Sequence, residues 1–217
     1  MSGTIKTVLF DLDGTIIDTN QLIIDSFMHT MSDIPLTRET IIPHMGTTLQ
    51  NQLRVFSGLQ DVAELEKAYR TYNLAHHDAM VKPFPHVQEV VQNLHAAGIR
   101  LGVVTTKIRP TSMKVLEMFD LYRYMDAVVT VTDVTHPKPH AEPVLKALEQ
   151  LGASKETALM VGDSPADIKS AQNAGVRAAA VAWSLKGEQT LSGYNPDYML
   201  RDMRDLYALT GTERVQS

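Results

Sequence analysis

At 217 residues the chain is long enough for one domain with a real core, or a core domain with a small lid. Hydrophobic residues make up 44%, charged residues 21% and the formal net charge is -5, which describes a soluble globular protein and excludes a basic surface for non-specific nucleic-acid binding. There are no cysteines, so disulfides, thiolate metal sites and thiol catalysis are excluded together, which suits a reducing compartment.

The first residues lack the basic-then-apolar profile of a signal peptide, and no apolar run is long enough to span a bilayer. The expected location is the cytoplasm. In chain order, Thr7-Val8-Leu9-Phe10 is a compact apolar run that predicts a buried strand, ending at Asp11-Leu12-Asp13-Gly14. Residues 17–81 then read as helices only, with one stripe at Ile24, Phe27, Met28 and Met31 and another at Val62, Leu65, Tyr69 and Tyr72. Lys82-Pro83-Phe84-Pro85 favours extended backbone and returns the chain to a sheet. Val87, Val90, Val91 and Leu94 follow helical spacing up to Gly98, and Pro110 suits the first position of the next helix. Val144, Leu148 and Leu151 mark another helix, closed by Gly152. Further strands are expected at residues 101–104, 127–131, 158–161 and 178–181.

Strand-helix alternation predicts an α/β fold with a parallel sheet covered on both faces. The expected division is a catalytic core of residues 1–16 and 82–217 and a helical cap of residues 17–81. An insert beside the first strand's carboxyl end lies over the place where open α/β sheets bind ligands, so it is a candidate lid.

Four polar clusters follow strands: Asp11-Leu12-Asp13-Gly14-Thr15, Thr105-Thr106-Lys107, His136-Pro137-Lys138-Pro139 and Gly162-Asp163-Ser164-Pro165-Ala166-Asp167. In a parallel sheet such points lie along one edge and can converge on one crevice. Carboxylates gathered there repel one another, and a hard divalent ion such as Mg2+ relieves this through oxygen ligands. Thr105 offers a hydroxyl donor and Lys138 a fixed charge for phosphate oxygens. A carboxylate can attack phosphorus, and Asp13, two residues on from Asp11, can protonate a leaving oxygen and then activate water. Each cluster alone has a plainer reading: Asp11 to Gly14 as a turn, Asp163 and Asp167 as helix caps, Lys138 as a solvated lysine. The four in order favour catalysis.

This order resembles the haloacid dehalogenase-like hydrolase superfamily over nearly the whole chain, with the helical insert similar to its small cap and the fold expected to be its Rossmann-like three-layer core. The resemblance implies Asp11 as nucleophile and metal ligand, and Asp13 as acid and base that lends its backbone carbonyl to the metal. It implies Thr105 and Lys138 as phosphate-holding positions, Asp163 as the second metal carboxylate and Asp167 as the residue orienting the metal's shell. Thr106 and Lys107 are candidate substrate contacts. Lys107 and Arg109 would reach a second phosphoryl group.

Outside that set, Ser26-Phe27-Met28-His29-Thr30, His76-His77-Asp78, Thr105 to Arg109 and Val181-Ala182-Trp183-Ser184-Leu185-Lys186-Gly187 are similar to the superfamily's bacterial pyrophosphatases. The implied substrate is inorganic pyrophosphate, with phosphoglycolate or another small phosphomonoester as the alternative and a non-catalytic phospholigand-binding protein as a third reading. Departures from the usual pattern are Thr106 for Asn, His86 for Gly, and His140 and Ala141 after Lys138-Pro139. Asp13 argues against a dehalogenase, and the absence of lysine from residues 17–32 argues against a phosphonate-cleaving relative. His76 and His77 are adjacent on a helix, so they do not share a metal and are expected on the lid's surface or hinge. Trp183 is expected to pack after the fifth strand. Arg38, Arg54, Lys67 and Arg70 are the insert's candidate cations for a charged substrate. The oligomeric state is not legible.

Overall fold

The computed structural model describes residues 4–213, so both ends of the expected core range lie outside the described residues. The strands are β1 (Thr7–Phe10), β2 (Ile17–Asp18), β3 (Lys82–Pro83), β4 (Arg100–Val104), β5 (Ala127–Val129), β6 (Ala158–Gly162), β7 (Arg177–Val181) and β8 (Tyr198–Leu200). The α-helices are α1 (Asn20–Thr30), α2 (Arg38–Ile41), α3 (Leu49–Ser57), α4 (Ala63–Met80), α5 (Val87–Ala96), α6 (Arg109–Met118), α7 (Glu142–Leu151), α8 (Pro165–Ala174), α9 (Glu188–Ser192) and α10 (Leu206–Thr210).

Six strands form one sheet in the order β5-β4-β1-β6-β7-β8, and every pairing is parallel. β1 is central. Phe10 pairs with Val103 of β4 and with Val161 of β6, which sets the ends of these strands level. All four residues of β1 are buried, as a strand covered on both faces requires. Val8 and Phe10 face one cluster with Val90, Leu94, Val115 and Leu206, so α5, α6 and α10 cover that side. Leu9 faces the other with Val144, Leu148, Ile168 and Leu191, so α7, α8 and α9 cover the opposite side. The result is three layers, α/β/α.

Four elements differ from the sequence expectation. The strand expected at residues 127–131 ends at Val129, because Thr130 turns the chain: its N–H and hydroxyl both donate to the Asp133 carboxylate, at 2.8 and 2.6 Å. Pro110 is the second residue of α6, after Arg109, a position whose N–H is also unused within a helix. Ile17–Asp18 is not helical but pairs antiparallel with Lys82–Pro83, so two short strands lead into and out of the insert. β8 adds a sixth strand whose three residues are too short to carry a period.

The helical insert packs its own apolar cluster, built on Ile24, Phe27, Met31, Ile41, Leu53 and Tyr69. Phe27 meets Phe56 edge-on at 5.1 Å and Tyr69 at 4.7 Å. Two stripe residues lie outside it: Met28 is exposed, and Tyr72 stacks between His29 and His76. His76 is exposed and His77 is fully buried near the end of α4, so of the surface-or-hinge expectation the surface reading holds for His76 and fails for His77. Its Nδ1 pairs with Asp78 Oδ1 at 2.8 Å, and Asp78 in turn meets Lys114 of α6 at 2.7 Å. His86 adopts a left-handed backbone, φ 64, at the start of α5, which accounts for the expectation of glycine there. Trp183 packs against Phe84 and donates its indole N–H to the Thr15 carbonyl at 3.3 Å.

Candidate active site

The site begins with strand register. β1 lies between β4 and β6, where the strand order reverses and an open parallel sheet leaves a crevice at its carboxyl edge. Asp11 follows β1, and its N–H donates to the Val161 carbonyl at 2.8 Å, so the nucleophile candidate is pinned to the end of β6. Thr105 follows β4 and Asp163 follows β6, which brings both to the same edge. Gly14 makes the turn after Asp13 with φ +83, and a Cβ there would stand 2.6 Å from Asp163 Oδ2. Glycine is therefore required for backbone conformation and for the approach of the two acidic segments.

Asp11, Asp163 and Asp167 are buried, with carboxylate oxygens within 4.8 Å of one another. One cation stands among them. Lys138 Nζ donates to Asp11 Oδ1 at 2.7 Å, to Asp167 Oδ1 at 2.5 Å and to the Val104 carbonyl at 2.8 Å. Burial alone would lower the Lys138 ammonium, but Asp11 and Asp167 outweigh it and hold the group charged. Burial pushes the Asp11 carboxyl well above its usual range, with Lys138 pulling against it. Burial pushes Asp163 up to about 7, and its Oδ1 is buried without a hydrogen-bond partner. Asp167 is bound at both oxygens, since Oδ2 accepts from Ser164 N–H at 3.0 Å and from the Ser164 hydroxyl at 2.6 Å, capping α8. Its helix-capping and site roles are compatible.

Three buried carboxylates against one ammonium, with an orphaned carboxylate oxygen, form a set of hard oxygen donors suited to a divalent cation. A second trio, His136, His140 and Glu142, lies on the loop around Lys138. Hydrogen bonds account for it: Glu142 accepts from the N–H groups of Thr135 and His136 and pairs with the His136 ring, while the Glu142 N–H donates to His140 Nδ1.

A cavity of about 110 Å3 lies between this crevice and the helical insert. A water needs about 10–15 Å3 by this measure, so the space suits a small oxyanion with a few waters. Asp11, Asp13, Thr105, Thr106, Lys107 and Asp163 line its core side. Gln52, Tyr69, Arg70 and Asn73 are among the residues lining the insert side. Lys107 Nζ contacts both Asp13 oxygens, at 3.1 and 3.2 Å. Thr105 Oγ1 accepts the Lys107 N–H at 3.2 Å, which leaves its own hydrogen free to donate.

Of the expected site residues, Lys138 stands behind Asp11 and does not line the cavity. Arg109 turns away: its guanidinium donates to the Val128 carbonyl and to Asp133, both at 2.8 Å, so the expectation that it reaches substrate is corrected. Of the insert's four candidate cations only Arg70 lines the cavity, and Glu66 pairs with it at 2.6 Å. Gln52 and Asn73 escaped sequence reading. For Asn73 a signal was present in part, because it shares one helix face at four-residue spacing with Tyr69 and His77, and all three are buried.

The chain matches the family model of the haloacid dehalogenase-like hydrolases over residues 8–181. It is 45% identical to the pyrophosphatase PpaX of Anoxybacillus flavithermus over 95% of this chain and 97% of that one. It is 48% identical to the pyrophosphatase PpaX of Bacillus cereus strain AH820 over 93% of this chain and 94% of that one. Among solved structures, a haloacid dehalogenase-like hydrolase of Bacteroides fragilis superposes with a TM-score of 0.84 at 28% identity, covering 93% of this chain and 99% of that one.

Proposed function

The chain belongs to the haloacid dehalogenase-like hydrolases, and from that premise we propose that it hydrolyses inorganic pyrophosphate to phosphate through an aspartyl-phosphate on Asp11. Relatives named as pyrophosphatases at 45% and 48% identity support the substrate. The observation that carries the chemistry is the buried Asp11 carboxylate facing a small cavity, with Asp13 beside it and Lys107 and Arg70 on the walls. Pyrophosphate is small, carries no carbon and needs cations for its second phosphoryl group.

Asp11 must be ionised to attack, and Lys138 at 2.7 Å favours that state against the cost of burial. The Asp11 carboxylate forms a bond to phosphorus while the bridging oxygen leaves with its electron pair. Asp13 supplies the proton to that oxygen and later takes one from the water that hydrolyses the aspartyl-phosphate. The Thr105 hydroxyl donates to a phosphoryl oxygen. Thr106 and Lys107 contact the substrate, and Lys107 exchanges its pairing with Asp13 for the departing phosphate. Asp11, Asp163 and the Asp13 backbone carbonyl would hold Mg2+, with Asp167 fixing the surroundings through Ser164 and Lys138. When bound, Mg2+ supplies the positive charge that lets an anionic nucleophile approach an anionic substrate.

We assign residues 17–81 as a cap and residues 1–16 and 82–217 as the core, with the strands β2 and β3 as the hinge region. The cap excludes bulk water during attack. The described residues include no helix long and apolar enough to cross a membrane, and cytoplasmic action is part of the proposal.

The test is phosphate release from pyrophosphate and from 2-phosphoglycolate with Mg2+, for wild type and Asp11→Asn. A large kcat/KM advantage for pyrophosphate with an inactive variant supports the reading. Preference for phosphoglycolate keeps the mechanism and removes the substrate. Wild-type activity in Asp11→Asn, with deamidation excluded by mass, removes the nucleophile.

A further inference from the structure

Two carboxamides on the insert side of the cavity have a polarity that a fully ionised phosphate does not match. Gln52, on α3, and Asn73, on α4, both line the cavity, and each is 7% exposed. Gln52 Nε2 donates to the Thr47 carbonyl at 2.9 Å. A carbonyl only accepts, so the amino end is fixed there and the oxygen is the end left over. That Oε1 is buried and has no hydrogen-bond partner. The same logic orients Asn73. The Ser26 hydroxyl gives its one hydrogen to the Leu22 carbonyl at 2.6 Å, so it can only accept from Asn73, and Nδ2 donates to it at 3.1 Å. Both carboxamides thus turn their amino ends to the insert's own acceptors. Arg70 shares this wall, with Nε and Nη2 donating to Glu66 Oε1 at 2.9 and 2.6 Å. Gln50 Nε2 donates to Glu66 Oε2 at 3.0 Å, which ties α3 to α4 and fixes the wall in place. A cation and a bare acceptor together suit an anion that still carries a proton.

We infer that Gln52 is a specificity residue whose Oε1 accepts a hydrogen bond from the proton-bearing oxygen of the distal phosphoryl group, with Asn73 in support. The inference rests on the proposed pyrophosphatase reading and deepens it. A phosphate monoester loses its last proton near about pH 6. In pyrophosphate the charge of the neighbouring phosphoryl group holds that proton to higher pH, so a donor is present near neutrality. A carboxylate is already ionised there and offers acceptors only. 2-Phosphoglycolate presents a carboxylate where pyrophosphate presents its second phosphoryl group. Against it Gln52 Oε1 stays buried, unpaired and repelled, and a site built to take a donor rejects an analogue that lacks one.

The test is the ratio of kcat/KM for pyrophosphate to that for 2-phosphoglycolate, at fixed free Mg2+, in wild type and in Gln52→Met, which keeps the length of the side chain and removes the acceptor. The ratio is expected to fall by about tenfold or more in the variant, because pyrophosphate loses a partner while the carboxylate loses a repulsion. A parallel fall for both substrates, with the ratio unchanged, would overturn the inference, since a packing role alone produces that result. Calorimetry with methylenediphosphonate and phosphonoacetate in the presence of Mg2+ repeats the comparison without turnover. The preference for the diphosphonate is expected to shrink by about tenfold in Gln52→Met, and an equal change in both affinities counts against the role of Gln52. In wild type alone that preference is expected to fall between about pH 6 and about pH 9 as the distal proton is lost, so the inference is tested without the variant; a constant or rising preference overturns it. Wild-type preference for 2-phosphoglycolate in turnover would remove the pyrophosphatase reading and this inference with it, whereas a pyrophosphate preference of equal size in both proteins removes the inference alone.

Discussion

Neutralising Asp163 should stabilise the metal-free protein while abolishing its activity. Asp163 is buried, its carboxyl is pushed up to about 7 from an ordinary 3.8, and Oδ1 finds no partner. A raised carboxyl pKa means that the folded protein binds a proton the unfolded chain has released. From this group, stability is fully present below the unfolded value and is lost as pH rises through the folded one. The window therefore runs from about pH 4 to about pH 7. One pKa unit corresponds to about 1.4 kcal/mol, so the shift amounts to about 4 kcal/mol, or about 2–4 once the repulsion shared with Asp13 and Asp167 is allowed for. Asp163→Asn keeps the shape and removes the charge. Urea unfolding with a chelator present, for both proteins across pH 4 to 8, isolates this contribution from any constant effect of the amide. The variant's stability relative to wild type is expected to rise by about 2–4 kcal/mol between those limits. Added Mg2+ should stabilise wild type by mass action and leave the variant nearly unchanged. A pH-independent difference between the two proteins would refute the reasoning, because it would show that the Asp163 carboxylate is already compensated without a cation.

Lys138→Met leaves Asp11 and Asp167 facing each other in a buried site without their ammonium. It is expected to cost about 3–5 kcal/mol in urea unfolding at pH 8 and to abolish turnover; a loss under about 1 kcal/mol would show the cation to be dispensable to the fold. Gly46→Ala tests the seating of the insert. Gly46 has φ +93, and a Cβ there would lie 2.6 Å from Ser164 Cβ and Oγ, whose hydroxyl is held by Asp167. A fall of about tenfold or more in kcat/KM is expected, with unfolding of the core little changed, and wild-type kinetics would show that this contact does not govern closure.

The main layers of the fold were legible because strand and helix periods are local. The Thr7-Val8-Leu9-Phe10 run and the Val87 to Leu94 stripe each report their burial within a few residues. The acidic crevice was legible for the same reason: once the strands are parallel, residues that follow their carboxyl ends share an edge, so Asp11, Thr105 and Asp163 meet without further information. β8 was not legible, because three residues carry no period and its place is set by pairing with β7. The directions of long side chains were not legible either. Lys107 and Arg109 sit two residues apart after one strand, yet one turns to Asp13 and the other to Asp133, depending on which carboxylate the packed neighbours present.

By itself, then, the sequence determined the layered architecture, the identity of the acidic motifs and the edge on which they gather, because each depends on contacts or alternation within short segments. Tertiary structure alone decided that Lys138 neutralises carboxylates from behind, that Gln52 and Asn73 line the cavity with Arg70, and that Lys186 reaches the Ile42 carbonyl of the insert. Those outcomes join residues as much as 144 positions apart, and no local pattern records the distance at which two packed layers come to rest.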